Sequence, residues 1–176
     1  MIALAAVALA VSAQAASFNW KTSATGKIYE AGTTTLLASG TAYLFDSAAV
    51  SQQAVLDAVL GGSGLDSLAS LSSALIASGA IATTPNFDWG TAGDTLNAFM
   101  AIVDGDNVFI SATVAQAADA SATKTFQFNA KTASQAAAME STSFTGAGWY
   151  QAVPEPTSGL LMLVGLAGLV LRRRRA

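Results

Sequence analysis

The chain has 176 residues, a formal net charge of −3, 11% charged and 52% hydrophobic residues, and neither cysteine nor histidine. That length suits one domain, and the missing residue types exclude disulfide staples, a Cys/His zinc site and any His-based triad. Four of the eight basic residues are Arg172–Arg175, while residues 16–153 hold four lysines against ten acids, a net of −6 that argues against a nucleic-acid partner.

Ile2 to Val11 form an apolar segment of signal-peptide length, with no lysine or arginine before it. The small-x-small triplet Ala13-Gln14-Ala15 follows, so residues 1–15 read as a signal helix removed by signal peptidase, and the mature chain starts near Ala16. A buried helix of the fold is the competing reading. It is disfavoured because polar, strand-like sequence begins directly after the triplet.

Residues 16–152 read as the exported, β-rich domain. "SFNWKTS", "GKIYEAG", "TTTLLASG" and "TAYLFDS" are short runs rich in Thr and aromatic or Leu residues, bounded by Gly or Ser, and each predicts a strand. Phe18 and Trp20 alternate with Asn19 and Lys21, as on a half-buried strand. The period then changes. Val55, Leu56, Val59 and Leu60 fall at helical spacing before Gly61-Gly62. Leu65, Leu68, Leu71 and Leu75 predict a second short helix, with Ser63 as a cap and Gly79 as its end. "TTPNFDWGTAGD" predicts a loop. In "NAFMAIVDGDNVFISATVA" apolar runs flank an Asp-Gly pair, the pattern of a hairpin. "TKTFQFNA" predicts a strand, "KTASQAAAME" a short alanine-rich helix, and "FTGAGWYQA" a closing strand. The expected fold is mainly β: an antiparallel β-sandwich or rolled sheet with two short inserted helices. A signal helix precedes it and a transmembrane helix follows it.

Few groups in the body suggest chemistry. Asp104, Asp106 and Asn107 cluster oxygen ligands, but the EF-hand spacing is absent and a hairpin turn accounts for them. Asp88 and Asp94 flank Trp89 as a glycosidase-like acid pair would, yet solvated loop aspartates are the simpler reading. Trp20 and Trp149 read as core; Trp89, in the expected loop, is the candidate for stacking on a sugar ring of an extracellular polysaccharide. There is no G-x-S-x-G and no phosphate-binding glycine pattern. The expectation is a non-catalytic domain with no cofactor and no metal.

The chain closes on "VPEPTSGLLMLVGLAGLVLRRRRA". Pro154 and Pro156 forbid helix through the junction with the body. The apolar run from Thr157 to Leu171 has fifteen residues, about 22 Å as helix, short against a bilayer core of about 30 Å. Its lipid-facing residues would be Leu160, Leu161, Leu163, Val164, Leu166, Leu169, Val170 and Leu171. Arg172, Arg173, Arg174 and Arg175 should stay cytoplasmic, by the positive-inside rule and by attraction to anionic lipid. The body then lies outside.

Val153, Pro154, Glu155 and Pro156, the short apolar run and the terminal arginines, in that order, resemble the PEP-CTERM sorting signal of Gram-negative bacteria, over residues 153–176. The resemblance implies an exosortase, a membrane-embedded cysteine transpeptidase, as partner. It implies cutting near the Pro-Glu-Pro and only transient residence in membrane lipid before delivery to the cell surface or matrix.

Overall fold

Phe18 and Trp20 are fully buried, Asn19 between them is half-buried and Lys21 is exposed, so the first aromatic run forms a strand with one face inward. The same logic repeats along the computed structural model, which describes residues 15–129 and 137–151. In chain order its elements are β1 (Ala15–Thr22), β2 (Ser39–Asp46), α1 (Gln52–Leu60), a 3-10 turn (Leu65–Ser67), β3 (Ser72–Ala77), β4 (Ala80–Ile81), β5 (Asn86–Thr91), β6 (Thr95–Asp104), β7 (Asn107–Ile110), β8 (Val114–Ala117), β9 (Lys124–Phe128), β10 (Met139–Glu140) and β11 (Gly148–Gln151). The fold is mainly β.

The strands form two sheets. The small one has the order β5-β1-β9; the large one runs β10-β11-β7-β6-β2-β3-β4, with β8 also paired to β6. β6 explains why its sequence is a continuous apolar run. Leu96, Ala98, Met100 and Ile102 face the core shared by the two sheets, and Phe99 and Ala101 face a second core on the other side. A central strand covered on both faces has no polar side to show. β2 divides in the same way, with Ala42 and Leu44 in the first core and Phe45 in the second. Val55 and Leu56 of α1 cover that second core. α1 is fixed at both ends: the Ser51 hydroxyl accepts from the Ala54 N–H at 3.1 Å, and Gly62 at φ +70° sits in a Schellman close, with Ser63 N–H bonding to Ala58 O and Gly62 N–H to Val59 O.

The hairpin in "DGDN" is present, with Asp104 paired to Asn107. Its two loop residues are Gly105 and Asp106, and Gly105 takes φ +57°, so glycine supplies the first position of the turn. Between β7 and β8 the strand is interrupted at Ser111, whose Oγ accepts from the Met100 N–H at 2.8 Å and replaces a ladder bond. Past that break β8 reaches β9, where the Gln116 amide donates to Thr125 O at 3.4 Å, so the large sheet curls towards the small one.

Four expectations are corrected. The sheets are not purely antiparallel: β1 runs parallel to β9, and β10 to β11. "GKIYEAG" is not a strand, nor is "TTTLLASG" before Ser39-Gly40, which open β2; the two share only the isolated bridge Tyr29–Leu36, because Ile28 and Leu37 are the only buried apolar side chains there and residues 31–35 are turn and bend. The second helix is instead the 3-10 turn followed by β3. Leu65 fills the second core and Leu71 packs on the first, while Leu75 is 68% exposed, so no common leucine stripe exists. Burial in β3 follows Ala74 and Ile76, a period of two. Finally, Trp89 lies on strand β5 rather than in a loop. The signal helix, most of "KTASQAAAME" and the C-terminal transmembrane helix lie outside the described residues. Among the described residues, no helix is long and apolar enough to cross a membrane.

Candidate functional site

The last described strand leads directly into the segment that carries the sequence motif. β11 lies between β7 and β10, with Gln151 opposite Asn107 and Glu140. Trp149 packs on Phe109 and is 1% exposed; Tyr150 is fully buried in the other core. The Tyr150 hydroxyl accepts from the N–H groups of Thr145 and Gly146, both at 3.0 Å, and donates to Gly146 O. On α1, Gln53 donates to Thr142 O at 2.9 Å and accepts from the Phe144 N–H at 2.7 Å. Among the described residues the body is therefore tied down through Gln151. Between Gln151 and Pro154 lie two residues, and such a link spans about 10 Å at full extension.

On the body itself the candidate residues are scattered. Trp89 points inward with Phe18, their rings meeting edge to face at 6.2 Å, yet it stays half-exposed because β5 is an outer strand of the small sheet. Asp88 is on the opposite face, across from Ser17. Asp94 is taken up by its own turn: its Oδ2 accepts from the Thr91 N–H at 2.8 Å and from the Thr91 hydroxyl at 2.9 Å. Those bonds, the backbone one first, hold its carboxyl below the usual range. Asp88 instead shares an open cavity of about 340 Å³ with Asp119, Ser17 and Ser121. Asp119 is already committed to Lys124 at 3.0 Å and to Ser121. Among the described residues, no group of three or more acidic side chains is placed to hold a metal ion.

Sequence reading missed one arrangement. Tyr43 of β2 and Asp66 of the 3-10 turn are 23 residues apart, and the Tyr43 hydroxyl donates to Asp66 Oδ1 at 2.7 Å. They line a second open cavity, of about 270 Å³, together with Thr41, Gly64, Leu65 and Val103. Only an aromatic within a strand and an aspartate beside glycines were visible beforehand, with nothing to join them.

Residues 152–175 match the family model described as the PEP-CTERM protein-sorting motif, and the chain carries that motif at the end of a β body. Val153, Pro154, Glu155, Pro156, the apolar residues and Arg172–Arg175 all fall within the match and outside the described residues. No curated protein and no solved structure matches the chain.

Proposed function

We infer that this is an exported surface or matrix protein without catalysis, whose C-terminal segment is a temporary stop read by an exosortase-type transpeptidase. The observation that carries the reading is the sorting motif at residues 152–175, placed immediately after the closing strand of a folded β body. In this account signal peptidase removes residues 1–15, the Thr157–Leu171 run halts in the inner membrane, and the four arginines remain on the cytoplasmic side. The run is short and glycine-containing, which suits temporary rather than permanent residence. Pro154 and Pro156 disfavour helix at the junction, a property that suits cutting there. The test is to follow the protein in cells with and without the transpeptidase. Export to the surface fraction should require the enzyme; the same distribution in both strains would refute the reading.

A second reading, in which the body also binds a polysaccharide at the cell surface, is favoured by the half-exposed indole of Trp89 on an outer strand. Aromatic faces stack on the C–H faces of sugars while leaving hydroxyls free for hydrogen bonds. Retardation in a polysaccharide gel, weakened by Trp89→Ala, would support this contact. Free migration in every gel would exclude it.

A further inference from the structure

The face of the large sheet that α1 covers is left open at one end. α1 packs on β6 and β7 over the Phe45–Phe99 part of the sheet. Beyond it the same face shows Tyr43, Thr41 and Val103, and Leu75, paired across the ladder with Thr41, is 68% exposed. The turn after α1 walls this end. Gly62 and Gly64, at φ +70° and +69°, bend the chain so that Leu65 drops into the second core and Asp66 stands at the surface against Tyr43. The Ser67 hydroxyl closes the turn on Gly64 O at 2.8 Å. The resulting cavity is anchored by a buried leucine and a glycine-defined backbone.

We propose that the Tyr43–Asp66 cavity is a binding site for a neutral saccharide unit of a polysaccharide. The inference rests on the second reading above and moves its principal contact from Trp89 to this site. The lining decides the ligand class. A metal ion needs several oxygen ligands, and this cavity offers one carboxylate. A fatty ligand would desolvate that carboxylate without pairing it. An anionic sugar would meet the Asp66 charge at close range and a body of net negative charge around it. A neutral sugar fits each feature. Its C–H face lies on the Tyr43 ring and the Val103 side chain, and a ring hydroxyl donates to Asp66 Oδ2, which accepts no hydrogen bond among the described residues. Thr41 supplies a second polar partner. The hydrogen bond to Asp66, and burial after it, raise the Tyr43 hydroxyl above the usual phenol range, so the phenol keeps its proton and holds Asp66 in place. The exposed Leu75 continues the apolar strip beyond the cavity mouth, along which the next unit of a chain can lie.

The test is affinity electrophoresis of the full chain in gels containing hydroxyethyl cellulose, dextran or alginate, with dissociation constants taken from retardation against polysaccharide concentration. The expected result is retardation by at least one of the two neutral polymers and not by alginate. Asp66→Ala, at an exposed turn position, and the isosteric Asp66→Asn should each weaken binding about tenfold or more with an unchanged melting temperature. Tyr43→Phe should weaken it less, because it keeps the ring. Retardation that survives both Asp66 substitutions but is lost in Trp89→Ala overturns this site and leaves the second reading standing. No retardation in any gel overturns both. Retardation by alginate alone also overturns the proposal.

Discussion

Trp149 and Tyr150 are adjacent on β11 and fill different cores: Trp149 packs on Phe109 at 5.6 Å between the sheets, and Tyr150 packs on Phe144 at 5.7 Å on the α1 side. One strand thus closes both layers of the body, and the sorting motif begins at the next residue. The Tyr150 hydroxyl carries much of that closure, since two loop N–H groups depend on it. Tyr150→Phe should destabilise the body by about 1–3 kcal/mol, the cost of leaving part-buried donors unpaired. Denaturant unfolding measures this, and hydrogen exchange should quicken first at Thr145 and Gly146.

The β3–β4 turn gives a sharper contrast between two glycines. Gly79 has φ +70°, and a Cβ there would sit 2.6 Å from Ile28 O; Gly93 has φ +99° but nothing within 4 Å. Gly79 also ties the bridge loop to the sheet, donating to Leu37 O and accepting from the Ile28 N–H, both at 2.8 Å. Gly79→Ala should cost more than about 2 kcal/mol, from left-handed backbone plus backbone clash, and lower Tm by several degrees. Gly93→Ala should cost only the conformational part, about 1–2 kcal/mol.

Trp20 supplies a third test. Its indole N–H donates to the Ser72 hydroxyl at 3.1 Å, linking the small sheet to the start of β3. Ser72→Ala leaves that N–H unpaired next to a fully buried ring and should cost about 1–3 kcal/mol. Trp20→Phe in the Ser72→Ala background should then show a smaller loss than Trp20→Phe alone, a coupling that a double-mutant cycle reads directly.

Stability should fall in acid partly through Asp119. The Ser121 backbone N–H, then the Lys124 ammonium and the Ser121 hydroxyl, hold its carboxyl well below the usual range. A depressed folded value means the contribution is fully present above the unfolded carboxylate value of about 3.9 and is lost as pH falls below it towards the folded value. Asp119→Asn should therefore have a lower Tm than the parent at neutral pH and converge with it in strong acid. Because about a third of each side chain of the pair is open to solvent, about 1 M salt should shrink the neutral-pH difference.

What could be read beforehand follows the physics of each segment. α1 showed itself through helical spacing and paired glycines, and the β6–β7 hairpin through two apolar runs about an Asp-Gly. β3 was hidden because Leu65, Leu68, Leu71 and Leu75 mimic a helical stripe, although Ala74 and Ile76 carry the true alternation. β5 looked like a loop from Pro85, Gly90 and its threonines; the alternation of Phe87 and Trp89 with Asn86 and Asp88 was the available signal. The parallel pairing of β1 with β9 joins segments more than a hundred residues apart and has no local signature. The same holds for Tyr43 and Asp66, which meet only because a glycine turn folds over the sheet.

The central claim is that the C-terminal segment is removed after it has served as an address. Its most direct test is the intact mass of the protein recovered from outside the cell. The account predicts a C-terminus near Pro154-Glu155-Pro156 and no Arg172–Arg175, with processing lost in Glu155→Ala. Mature extracellular protein that still ends in the arginines, or is processed identically in that variant, would contradict it.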